Sequence, residues 1–157
     1  MTTLQSVVRR RRAVAAAGAV SAGLLVLSAC DKPSPVATVT VGRSSVNSEA
    51  DCYNDGDKLD AKTTAECVKN VGKAKSITVD TDDTVRFGVD PKIADAGWVI
   101  LVNGQQFTDV SKKTYRTIPG SAFFNSQYGT QGTTNSVSIR MGKTSVEGVW
   151  SFKLKKA

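Results

Sequence analysis

The side chains of this chain best suited to chemistry are three cysteines, Cys30, Cys52 and Cys67, and two nearby carboxylates, Asp90 and Asp95. Thiolates act as nucleophiles or metal ligands when a base or a metal stands beside them. Paired carboxylates can share general acid and base roles. Histidine is absent from all 157 residues. Its absence removes Ser-His-Asp and Cys-His catalysis, together with histidine-ligated zinc and blue copper. A catalyst built from this sequence would need carboxylates or a Ser-Lys arrangement, and no spacing brings Asp90 and Asp95 to a substrate. They read as solvated loop acids, no metal site is expected, and the chain reads as a non-enzyme.

Where Cys30 stands decides its chemistry. Arg9-Arg10-Arg11-Arg12 is a basic block, and Ala13 to Leu27 is an apolar run interrupted only by Ser21. Small residues follow, up to Cys30. This is the grammar of an export signal, expected over residues 1–29. The run of about 15–17 residues is short of the roughly 20 that span a bilayer, which favours a cleaved signal over a retained anchor. Leu27-Ser28-Ala29-Cys30 resembles the lipobox of bacterial lipoproteins. The resemblance implies cleavage before Cys30 and a diacylglycerol on its sulfur. The expected location is therefore the outer face of the cell membrane, with the lipid anchor as the membrane contact. Beyond that covalent lipid, no cofactor is expected.

With Cys30 given to lipid, Cys52 and Cys67 remain as a pair. Outside the cytoplasm such a pair reads as a disulfide, and a loop of about 15 residues closed this way contributes roughly 3 kcal/mol. Cleavage also changes the charge. The four arginines leave with no acid, so 17 Lys+Arg face 14 Asp+Glu and the formal +7 falls to +3. No basic stripe with interleaved aromatics appears, and nucleic acid is not an expected partner. The partner is expected to be an envelope protein or a small ligand.

The elements that must position these residues are mostly strands. Asp31 to Pro35 is a short tether stiffened by two prolines. From residue 36 to 157 a single domain is expected. Val36 to Val41 alternates as a strand. Arg43 to Lys75 is polar and holds the cysteine pair. It reads as an insertion after the first strand, pinned across one end of a sheet. A short helix is expected within 60–70, with Thr63 and Glu66 at capping-box spacing. Asp51, Asp55, Gly56 and Asp57 are similar to part of an EF-hand loop. Tyr53 and Lys62 stand where that loop needs ligands, so a solvated turn is expected.

From Ser76 onward the pattern is β. Ile77 and Val79, then Val85, Phe87 and Val89, alternate around Thr81-Asp82-Asp83 and read as a hairpin. Trp98 to Val102 is apolar without alternation, which predicts a strand covered on both faces. Asn103-Gly104 predicts a type I′ hairpin turn, with Gln105 to Val110 returning. Thr114 to Ile118, Val137 to Met141 and Trp150 to Leu154 complete about seven or eight strands. That spacing argues for an all-β, immunoglobulin-like sandwich. Trp98 and Trp150 sit in apolar strand patterns and read as core. Phe123, Phe124 and Tyr128 border a glycine-containing loop and are the candidate binding surface.

The LSAC box, the cysteine pair and Asp90-Pro91…Gly97-Trp98 resemble small uncharacterised envelope lipoproteins of actinobacteria, a likeness that carries no activity. The expected function is a membrane-anchored, non-catalytic binding or structural module of the cell envelope. The layout from Asp82 to Phe87, the loop before Gly97-Trp98, and Gly129-Thr130-Gln131 are similar to chagasin-like cysteine-protease inhibitors. That resemblance implies an immunoglobulin-like inhibitor presenting three loops at one end. The Asn-Pro-Thr-Thr-Gly and Arg-Pro-Trp motifs of that family are not present.

Overall fold

Alternating β-branched residues supply most of the secondary structure of the computed structural model, which describes residues 33–125 and 132–157. Residues 1–29, expected above to be an export signal, lie outside the described residues, as do Cys30 and Tyr128. The folded unit runs Ser34–Ala157. Its strands are β1 (Ala37–Val41), β2 (Ser44–Ser48), β3 (Cys52–Tyr53), β4 (Lys75–Val79), β5 (Thr84–Val89), β6 (Trp98–Val102), β7 (Gln105–Gln106), β8 (Tyr115–Pro119), β9 (Thr134–Met141) and β10 (Gly148–Lys156). Two α-helices, α1 (Ala61–Lys69) and α2 (Pro91–Ala96), interrupt them. A 3₁₀ turn, Gly120–Phe124, follows β8.

Two sheets form. One has the order β2-β1-β5-β8, and the other β3-β10-β9-β6-β7 with β4 also paired to β10. All pairings are antiparallel except β4 on β10. If β1 is lettered A and β5 to β10 are lettered B, C, C′, E, F and G, the sheets contain the runs A-B-E and G-F-C-C′. This is the strand order of an immunoglobulin-like sandwich. Alternate residues of both sheets meet between them, led by Trp98, Trp150, Phe87, Phe123 and Phe152, all fully buried. Both tryptophans are core residues, and each indole finds a carbonyl. Trp98 Nε1 donates to Lys113 O at 2.8 Å and Trp150 Nε1 to Pro35 O at 2.7 Å.

Several expectations change. Strands β4 and β5 are not a hairpin. They belong to different sheets, and the Asp80–Asp83 turn carries the chain across. Both strands still point Ile77, Val79, Val85 and Phe87 into one core, so alternation is satisfied either way. Among the described residues ten strands form instead of seven or eight, because the polar stretch after β1 contributes β2 and β3. Only Gln105–Gln106 returns as a strand after the turn. The turn itself is as expected, with Asn103 at φ 49° and Gly104 at φ 81°. The folded contacts begin inside the expected tether. Ser34 Oγ accepts from Ala50 N, and Val36 N donates to Asp90 Oδ2 at 2.7 Å.

The insertion lies over a sheet face, not across a sheet end. Strand β6 is buried at all five positions. Its inward residues join the core, while Val99 and Leu101 point the other way with Ser138 of β9 and with Val149 and Ser151 of β10. These outward residues are buried too. Residues 51–71 cover them, tied down by Asp51 N to Val149 O and Leu59 N to Val146 O. Cys52 and Cys67 form the expected disulfide, with Cα atoms 6.1 Å apart, joining β3 to α1.

Candidate functional site

Helix α1 forms one wall of a large groove on the molecule. It starts at Asp60, whose carboxylate accepts from Thr63 N at 2.9 Å and from Thr63 Oγ1 at 2.6 Å. The cap is therefore Asp60, three residues before the Thr63 that capping-box spacing suggests. Asp60 and Thr63 satisfy each other, which leaves Thr63 inside the first turn. Lys69 lies in the last turn, where a cation suits the helix dipole. Nine residues are too few for a helix to stand alone in water. Cys67, buried and disulfide-bonded, holds this one against the sheet.

The helix spacing then sets the site. Ala61, Thr64, Ala65 and Val68 fall at i, i+3, i+4 and i+7, a single stripe, and all four line the groove. The opposite wall and floor come from the outer sheet face: Leu101 of β6, Gln106 of β7, and Ser136 and Arg140 of β9. One end is closed by Val146 with Leu59, which share a backbone hydrogen bond of 2.7 Å. The other end is the Asn103-Gly104 turn. It is fixed because Asn103 Oδ1 accepts from Ser136 N at 3.0 Å and Asn103 Nδ2 donates to Asn135 Oδ1 at 2.9 Å. The volume is about 870 Å³, within the range of small-molecule sites.

Its electrostatics are one-sided. The charged residues lining the groove are Lys58, Lys69 and Arg140, with no carboxylate among the lining residues. Lys58 and Lys69 are exposed, so water screens them. Arg140 is half-buried on the floor. Its Nη2 donates to Gln106 Oε1 at 3.3 Å, and its Nε is buried with no partner. Thr64 Oγ1, across on α1, is also buried with no partner. Two residues lining a mostly apolar cleft therefore each carry a buried polar group without a partner. Both can donate hydrogen bonds, and the arginine carries a full charge.

Among the residues proposed from sequence, few come together. Phe123 is fully buried, with its ring 5.8 Å from Phe87 and 5.5 Å from Phe107, so it is core and not surface. It is drawn inward because the 3₁₀ turn rotates it beneath β5. Phe124 is half-buried and packs on the same core. Asp90 precedes α2 and holds Val36 N, while Asp95 is exposed. The acids of the 51–57 stretch divide: Asp51 lies against Ser151, where loss of hydration raises its pKa and hydrogen bonds from Ser151 partly oppose that, while Asp55 and Asp57 are exposed. Asp80 and Asp83 bond to backbone within their own turn.

Of the stretches that carry the chagasin likeness, Gly129-Thr130-Gln131 lies outside the described residues. Gly97 follows the end of β5, where its carbonyl accepts from Gly142 N. Residues 126–131, outside the described residues, join the 3₁₀ turn to β9. That turn packs at the start of β5, where Gly120 N donates to Asp83 O.

Arg140 and the α1 stripe were not picked out from sequence. Arg140 reads there as one more outward polar residue of an alternating strand. The available signal was the helical spacing of Ala61, Thr64, Ala65 and Val68 in a segment otherwise read as an insertion. No family model, no curated protein and no solved structure matches this chain.

Proposed function

We propose that the chain is a lipid-tethered, extracytoplasmic binding module of the cell envelope, non-catalytic, with the groove beneath α1 as its ligand site. The lipobox likeness at Leu27-Ser28-Ala29-Cys30 supports the tether and its diacylglycerol. A single observation carries the binding reading: two residues that line the groove, Arg140 and Thr64, each carry a polar group, Nε and Oγ1, that is buried and unused by the protein itself. A buried group without a partner costs stability, and a ligand that supplies acceptors offsets that cost. The acids that could serve catalysis stand elsewhere, with Asp90 engaged by Val36 N and Asp95 facing solvent.

The test is co-purification from intact envelope, comparing the wild type with Ala65→Trp. Ala65 is exposed on the groove wall, so the indole fills the groove without disturbing the core. A component retained by the wild type and lost from the variant is the expected result. Identical retained material from both proteins would remove the groove as the binding site.

A further inference from the structure

We infer that the groove takes a single-chain amphipathic anion, a long-chain carboxylate, with its head on Arg140 and its chain against the α1 stripe and Leu101. This rests on the binding reading above and names its ligand class. Charge is the first reason. The three charged side chains on the groove are all cations, and among the described residues the side-chain partner of Arg140 is the neutral Gln106. An arginine fork in apolar surroundings is matched best by a carboxylate, which accepts two parallel hydrogen bonds. Arg140 Nε, buried and without a partner, is a further unmet donor on the same side chain.

The apolar lining is the second reason. Leu101, Val68, Val71 and Val146 line the same groove as that charge. A bare inorganic anion would leave them in water, whereas an alkyl chain covers them. Size is the third. With nine residues, α1 offers a wall of about 13 Å at 1.5 Å per residue. That is room for roughly four extended peptide residues at 3.3 Å each, far fewer than the roughly 20–30 residues a side of a stable protein interface. A small ligand fits where a protein partner does not.

The experiment uses the full chain in nanodiscs of zwitterionic phospholipid, with palmitate bearing a diazirine on its chain as the probe. Cross-links are expected on peptides from α1 and from Leu101–Gln106. Unlabelled laurate should displace the probe, while dodecylammonium and dodecanol should not. Among saturated carboxylates, affinity should rise about fourfold per methylene until the chain outruns the wall. Arg140→Gln should weaken capture about tenfold or more, as expected for a lost charge-assisted hydrogen bond, and Arg140→Lys should restore part of it. The competition series on the wild type needs no variant, so the inference stands or falls even if Arg140→Gln disturbs the sheet. Cross-links spread outside the groove would overturn it. So would equal displacement by dodecylammonium, or displacement by inorganic phosphate as effective as by laurate. A neutral or peptidic component lost with Ala65→Trp would leave the binding reading in place and sink only the anion.

Discussion

The indole of Trp150 donates to the carbonyl of Pro35 at 2.7 Å, a bond between residues 115 apart in sequence. It ties the last strand to the segment that leads into β1. The core therefore begins two residues before the first strand, and the chain enters the sandwich at a fixed point.

Trp150→Ala removes that bond and a fully buried ring. A loss of about 3–5 kcal/mol is expected, and the same for Trp98→Ala. Trp150→Phe keeps most of the ring and should cost less, about 1–3 kcal/mol, for the Pro35 carbonyl left unpaired. Urea unfolding of a soluble chain beginning at Asp31 measures all three. A midpoint equal to wild type for either alanine variant would move that tryptophan out of the energetic core.

Removing the disulfide should act locally. The Cys52→Ser, Cys67→Ser double variant is expected to lose about 3 kcal/mol for its 15-residue loop. Hydrogen exchange should quicken in α1 well before it does in β9 and β10, because α1 is too short to persist unpinned. Uniform loss of protection across α1 and the sheets would contradict this, and so would free thiols on the exported protein.

Two acids should give stability opposite pH dependences. Asp60 has its pKa lowered from the ordinary 3.8, chiefly by the hydrogen bonds from Thr63. Its contribution is complete above the unfolded value and is lost as pH falls through the lower folded value. Asp51 has its pKa raised from 3.8, chiefly by burial of its carboxyl group against Ser151. Its charge opposes folding at neutral pH, and stability is recovered as pH falls through the raised value. Asp51→Asn should therefore be more stable than wild type near pH 7, with the advantage fading toward the unfolded value of 3.8. Asp60→Asn, which keeps a capping oxygen, should be less stable near pH 7 and converge on wild type in acid. Unfolding midpoints across pH 2–8 would show either sign to be wrong.

Cys30→Ala should abolish membrane retention and block signal processing. The motive is the Leu27-Ser28-Ala29-Cys30 sequence at the end of an apolar run. Metabolic labelling with a palmitate analogue provides the measurement, and equal label on mutant and wild type would refute lipidation at this residue.

Local signals in the sequence were sufficient for local structure. Asn103-Gly104 dictated a turn because two consecutive positive φ values are tolerated by few other residue pairs. The unbroken apolar run from Trp98 to Val102 required cover on both faces, and the structure supplies it. The cysteine pair forms the disulfide that its spacing and setting suggested. What the sequence could not determine is which surfaces meet. Period-2 alternation fixes the inward face of a strand but not its partner, so β4 and β5 looked like a hairpin although they lie in different sheets. Burial of Phe123 depended on where the 3₁₀ turn packs, not on its polar neighbours. The groove forms where the disulfide and the Leu59–Val146 bond hold α1 over the sheet beside β3 and β10, so that Thr64 and Arg140, 76 positions apart, line the same groove. Neither residue is unusual in its own segment. Their shared burial without partners is a property of tertiary contact, which hydrophobic periodicity cannot encode.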